Sequence, residues 1–276
     1  MADHAFQTQY RQEFIAGFEQ RQSLVRKTVT TEVEIKGNTA TFLVADSGSA
    51  EAVTRGLNGL IPARADNLSQ SSATLVEWHD LVRRTSFNIF ASQGNQRAIM
   101  QKTTMGVINR KIDQDIITQL NTGTQDTGTA ATASLSLAMY GLTILGNNAV
   151  PLDGNISGLI TPAFYAYLMQ TKEFASADYV NNKPFEGMLT MFRWANVNWI
   201  VHPNLPGKGT TAEKCFLYHK SAIGHALDSS SVSTSVGYDD EQDYSFARAT
   251  TYMGSKLLQN AGVVVLNHDG SAFAPL

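Results

Sequence analysis

The sequence predicts an α+β fold in which an N-terminal arm, an extended β-hairpin loop, a long helix on a sheet-bearing domain and an inserted α/β module follow one another. Three observations carry this. Residues 28–82 open as a strand hairpin and then run out through a stretch that cannot bury itself. Residues 96–120 hold one apolar stripe at helical spacing. Two segments, 73–122 and 229–276, share a sheet-and-helix character and bracket a mixed α/β segment at 123–228.

In chain order, Phe6, Tyr10, Phe14, Ile15 and Phe18 recur at steps of about three and four, with Gln, Arg and Glu on the other positions. This is an amphipathic arm over residues 1–27 that lies on a partner or on the body, or an ordinary surface helix. Val29, Thr31, Val33 and Ile35 then alternate up to Lys36-Gly37-Asn38-Thr39, and residues 41–45 resume an extended pattern, as in a hairpin turning at Gly-Asn. From Asp46 to Ser72 only Val53, Leu57, Leu60, Ile61 and Leu68 are available to pack, and Arg55 and Arg64 flank the turn Gly56-Leu57-Asn58-Gly59. Structureless loops beyond about 12–15 residues are functional or ordered by a partner, and a second copy of the chain is the expected partner. Residues 73–82 return as a strand.

Met105, Ile108, Ile112, Ile116 and Leu120 then recur at steps of three and four, while Lys102, Arg110, Lys111, Asp113, Gln114 and Gln119 fill other faces. Ser92 and Asn95 are start signals and Asn121-Thr122-Gly123 a stop. The predicted helix, 96–120, is about 37 Å long, and its single stripe places it along a sheet. Residues 121–134, rich in Gly, Thr and Ala, read as a linker and domain boundary. Beyond it come a helix at 135–145, a strand at 156–161, a helix opened by Pro162 through 171, strands at 196–202 and 214–218, and a short helix at 220–227. The Ser-rich run 228–235 leads to an extended segment at 232–238 and an acidic turn. Residues 244–257 follow as a long strand or a short helix, and Val263-Val264-Val265-Leu266 is a buried strand.

Composition narrows the function. The 276 residues are 43% hydrophobic and 16% charged, as in a globular protein, and the net charge of −3 supplies no cation excess for a phosphate backbone. The single Cys215 lies in a strand-like run and reads as a buried thiol in a reducing cytoplasm. There is no leader pattern at the N-terminus and no run of 18 apolar residues, so no membrane partner is expected. Catalytic signatures are missing. Gly-x-Ser-x-Gly does not occur, and Gly207-Lys208-Gly209-Thr210 lacks both the earlier glycine and the hydroxyl of a phosphate loop. The run Asp239-Asp240-Glu241-Gln242-Asp243 has Tyr244 where a calcium loop needs glycine and Thr250 where it needs glutamate. His4, His79, His202, His219, His225 and His268 lack the spacing of a zinc site, and Trp78, Trp194 and Trp199 read as core or interface anchors. No cofactor or metal is expected.

The order of elements, with Ile35-Lys36-Gly37-Asn38-Thr39-Ala40-Thr41-Phe42 in the loop and Gly254-x-Lys256 ahead of Gly262-Val263-Val264-Val265-Leu266, resembles the major capsid proteins of tailed bacteriophages, the Hong Kong 97 fold. The hairpin is most similar to that of short-tailed phages. The resemblance implies an N-terminal arm at 1–27, an extended loop (E-loop) and its base at 28–82, and a peripheral domain with a spine helix at 83–122 and 229–276. The axial domain would be 123–228. It also implies a structural protein, not an enzyme, that self-assembles as homo-hexamers and pentamers into an icosahedral virion shell in the bacterial host cytoplasm. That shell would enclose double-stranded DNA without sequence-specific binding. Implied partners are a separate scaffolding protein, a portal and a decoration or cement protein. Arg55, Arg64 and Asp66 at the loop tip, with Phe14 and Phe18 of the arm, become candidate intersubunit contacts; the three loop residues read equally as solvated charges. Some relatives crosslink a loop lysine to a neighbour, but this chain has no lysine between Lys36 and Lys102, so a non-crosslinked shell is expected. The same fold resembles an encapsulin compartment, distinguished by an enzyme cargo. An α/β enzyme, the alternative of another class, would need a pocket of perturbed titratable groups.

Overall fold

The structure, a computed structural model, describes residues 22–32, 35, 37–47, 50–64, 67–85, 96–175, 191–228 and 233–273. The long helix α1 (Gln96–Leu120) occupies the span its periodicity predicts, although the start signals Ser92 and Asn95 lie outside the described residues. Ile108, Ile112, Ile116 and Leu120 are buried in one cluster with Ala249 and Met253, so the apolar stripe lies along a sheet as the pattern requires.

Ala249 and Met253 belong to β11 (Tyr244–Leu257), the central strand of that sheet. Its first half pairs antiparallel with both β10 (Ser233–Asp239) and β4 (Val76–Thr85). Met253 faces both Val76 and Leu227, the latter in β9 (Ile223–Leu227). Hence β9 and β10 share one edge of β11 and β4 takes the other. A short β1 (Thr30–Glu32) adds to β9 in parallel.

The second sheet runs β12 (Val263–His268), β8 (Glu213–His219), β5 (Ile156–Ile160), β7 (Val197–Val201) and β6 (Met191–Trp194). Only β5 and β7 are parallel among these pairs. All five β5 residues are buried, the pattern of a strand covered on both faces. Helix α2 (Leu135–Asn147) packs on β12 so closely that a Cβ on Gly141 would lie 2.6 Å from Leu266 Cδ2. Helix α3 (Pro162–Leu168) opens with Pro at its first position, and the Thr161 hydroxyl caps it by accepting from the Phe164 N–H. The predicted helix through 171 stops at Leu168, and a separate turn, α4 (Lys172–Ala175), follows.

Several expectations are corrected. Among the described residues no hairpin joins the two sides of Gly37-Asn38: β1 pairs with β9, and β2 (Thr39–Asp46) pairs instead with β3 (Asn67–Thr74), a partner 21 residues further at its nearest register. Gly37 still takes a positive φ of 93°, turning the chain without joining the flanks. The return strand breaks at Leu75, whose N–H donates to the Asn38 carbonyl at 2.8 Å. The short helix at 220–227 is a single turn followed by strand β9, because Ile223, Ala226 and Leu227 need a sheet position that buries every residue. The linker 121–134 is not free. Thr127 donates to Val265 O, Val265 to Gln125 O and Ala131 to Asn267 O, so the segment lies along the outer edge of β12. The C-terminal segment 229–276 divides: β10 and β11 belong to the first sheet and β12 to the second.

Helix α2 ends in a Schellman motif, with Val150 donating to Leu145 O and Ala149 to Gly146 O. Ala149, at φ 56°, holds the left-handed position that glycine normally fills, and its side chain is exposed. Ala149→Gly therefore raises the unfolding free energy by about 0.5–1 kcal/mol, read from chemical denaturation midpoints at unchanged slope.

Candidate assembly surface

Among the described residues, the outer part of the β2–β3 ribbon is not covered by the core. Ala40, Phe42 and Ala73 at its base are buried against Ala226, with Ile35 and Leu258 packed around them. Two glycines allow this docking. The Phe42 ring covers Gly224, where a Cβ would come 2.8 Å from its Cζ, and the Thr74 carbonyl covers Gly254, 2.3 Å from a built Cβ. Past Phe42 the ribbon leaves the body. Leu43 and Leu68 are 77% and 73% exposed, and the stretch 50–64 is exposed at every residue.

At its far end Gly56 donates to Leu60 O and Gly59, at φ 72°, donates to Gly56 O, closing the predicted turn. Leu57, Leu60 and Ile61 stand in solvent at 109%, 73% and 67%. The residues that sequence inspection offers for packing, Val53, Leu57, Leu60, Ile61 and Leu68, are thus all exposed within one subunit. Apolar groups gathered this way mark an interaction surface. Arg55 and Arg64 are both on the exposed stretch, flanking the turn. Asp66, Phe14 and Phe18 lie outside the described residues.

A second exposed set sits on the first sheet, where Val236 and Tyr238 of the edge strand β10 adjoin the acidic turn. That turn is a solvated one, as predicted: Asp239 Oδ1 accepts from the N–H groups of Glu241 and Gln242 at 3.1 Å, which holds its carboxyl below the usual carboxylate range. The Gly207–Thr210 segment is likewise a turn, with Thr210 N–H and Oγ1 both donating to Gly207 O.

Sequence inspection misses the buried ionisable groups. Asp113, assigned to a polar helix face, is fully buried, and so are Glu213 and His268, which pair across β8 and β12. The signal for Asp113 was present: it precedes Ile117 and Leu120 by four and seven residues, so it shares their buried line on the helix. Cys215 is buried as expected, and burial pushes its thiol up to about 12, which makes it inert at neutral pH. No three His, Cys, Asp or Glu side chains among the described residues are grouped to hold a metal.

His225 of β9 is also buried. The Ser255 hydroxyl donates to Asp115 Oδ2 and so accepts from His225 Nδ1–H at 2.9 Å, leaving a neutral imidazole. Burial first, then the Arg26 charge, lowers its pKa to about 4. The unfolded chain takes up this proton near pH 6.5 and the folded one only near 4, so stability is full above pH 6.5 and is lost as pH falls through that window. The loss is about 3 kcal/mol. Denaturation at the two ends of the window measures it, and His225→Gln flattens the difference.

The profile described as phage capsid protein matches residues 2–270. The chain belongs to the phage capsid protein family. No curated protein matches the chain. Among solved structures, the phage capsid protein is similar to one from Mycobacterium phage Che8 at 16% identity and TM-score 0.77, covering 96% of this chain and 98% of the other. It is similar to one in the capsid structure of the Cyanophage P-SCSP1u, at 13% identity and TM-score 0.73, covering 96% and 93%. A third, in the capsid of a native GTA particle, shows 12% identity and TM-score 0.71, covering 97% and 96%. The α+β fold of the Hong Kong 97 type expected from the sequence is therefore the fold of this capsid protein, which is a structural subunit of the virion shell.

Proposed function

We propose that copies of this capsid protein assemble as hexamers and pentamers into an icosahedral shell around double-stranded DNA, with the extended loop of each subunit laid on a neighbour. The observation that carries this is the loop itself: Leu43, Leu57, Leu60, Ile61 and Leu68 all stand exposed in the single subunit, with no cover among the described residues. Burial of each on a partner contributes about 1.5–3 kcal/mol. In this proposal Arg55, Arg64 and Asp66 rim the contact and Phe14 and Phe18 of the N-terminal arm make a second one. Residues 1–27, 28–82, 83–122 with 229–276, and 123–228 act as arm, extended loop, peripheral domain and axial domain. The strand β12, although it falls in the peripheral stretch, contributes to the axial sheet.

The protein is a container and not a catalyst. A separate scaffolding protein and a portal act in assembly in the host cytoplasm, a decoration protein can cover the outer face, and the near-neutral charge leaves packaged DNA without a strongly adhesive wall. With no lysine between Lys36 and Lys102, the shell holds without loop crosslinks and comes apart into single chains in hot detergent. A photo-crosslinking residue at position 57 tests the loop contact. Intermolecular ladders support it, and crosslinks confined to one chain contradict it.

A further inference from the structure

Asp113, buried on α1, gathers groups from the chain's N-terminal end and from the second sheet. Its Oδ1 accepts from the Ser23 hydroxyl and from the Val25 N–H at 3.3 Å. Its Oδ2 accepts from the Leu24 N–H at 3.0 Å and lies 3.4 Å from Nε2 of His202, at the end of β7. His202 Nδ1 accepts the Asn204 N–H at 3.2 Å, which leaves the imidazole proton on Nε2, toward Asp113. Ser23 Oγ in turn accepts the Arg26 N–H at 3.1 Å, and Thr28 bonds the buried Tyr218 hydroxyl of β8. One carboxylate thus ties residues 23–25, just ahead of the turn Arg26–Thr28, to the long helix.

We propose that Asp113 is an acid-released latch for the N-terminal segment of the chain. Ionised, it accepts from the Ser23 hydroxyl and from the Leu24 and Val25 N–H groups; a proton would place a donor hydrogen among donors and remove the charge-assisted part of each bond. A further tie at this place is Thr28 on Tyr218, which stays neutral because burial raises its pKa. Charged and titratable neighbours among the described residues include His202, Arg26 and His225 beside Tyr218. His202 approaches the same carboxylate from β7, with Nε2 3.4 Å from Oδ2. Arg26 and His225 lie on the turn and on β9, where Asp113's charge acts on His225. Asp115, two residues on, is turned away to Ser255 of β11.

The test is amide hydrogen exchange of the full chain at about pH 7 and about pH 3, a unit below the ordinary aspartate value, where an opened Asp113 would take up its proton, with 22–28 read as a ratio to β8 so that the general acid loss through His225 cancels. The expected result is a loss of about tenfold in the relative protection of 22–28 at the lower pH, the loss of one such bond. Asp113→Asn shows the loss already at neutral pH and no further change on acidification. Ser23→Ala, which leaves the core intact, gives a smaller loss in the same direction and decides the matter if Asp113→Asn does not fold. Equal relative protection at both pH values, or a Ser23→Ala variant identical to wild type, overturns the latch.

Discussion

Replacing Leu57, Leu60 and Ile61 together by Ser leaves the subunit folded and stops its assembly. The three side chains are exposed in the subunit, so their removal changes its own stability by no more than about 0.5 kcal/mol each. In the proposed loop contact the same side chains are covered by a neighbour in the shell. Losing even 4 kcal/mol of that burial raises the concentration needed for association about a thousandfold. Thermal melting beside sedimentation separates the two effects. Wild-type melting with only small species supports the account, whereas normal particles from the triple variant would show that the loop is not an assembly element.

Trp199→Ala has the largest expected effect on the fold, a loss of about 3–5 kcal/mol. Trp199 is fully buried, stacks on Phe164 and Phe192 with centroids 6.2 and 6.4 Å away, and donates its indole N–H to Trp194 O at 3.0 Å. Its six-membered ring covers Gly158 in the adjacent strand, where a Cβ would come within 2.4 Å of Cε3. Gly158→Ala alone therefore costs about 1–3 kcal/mol by overpacking. In a Trp199→Leu background, with the ring gone, the same change costs much less. Urea titration of the four proteins gives the coupling; additive losses would mean that the ring does not rest on the glycine.

Where one side chain decides an element's partner locally, the sequence is legible. The stripe Ile108, Ile112, Ile116 and Leu120 defines α1 to its last residue, and Pro162 behind Thr161 marks the start of α3. Where the partner is distant, the local pattern misleads. Residues 29–45 alternate like a hairpin because β1 and β2 are both strands, yet their partners are β9 and β3, reached through the whole fold and through the extended loop. The segment 220–227 reads as helix for the same reason, since nothing near it announces that β11 supplies its hydrogen bonds. Short β6, joined to β7 by a tight turn with Ala195 and Asn196 both at positive φ, went unread because Ala-Asn is an uncommon choice for that turn.

The assembly surface was legible as an inability to fold alone: a loop with too few apolar residues for a core and a turn flanked by Arg55 and Arg64. What the sequence could not show was that those apolar residues all remain outside while Phe42 over Gly224 pins the base. The buried carboxylates were hidden for a related reason. An acidic residue on an amphipathic helix is ordinarily solvated, and Asp113 departs from this because donors from residues 23–25, some ninety positions away, neutralise the cost.

The most direct test of the central claim is the mass and shape of the purified full chain, by light scattering with negative-stain electron microscopy. Capsomer rings, tubes or closed shells are the predicted result. A monodisperse 30.0 kDa monomer at every concentration, with a radius of gyration of about 19 Å, would contradict it.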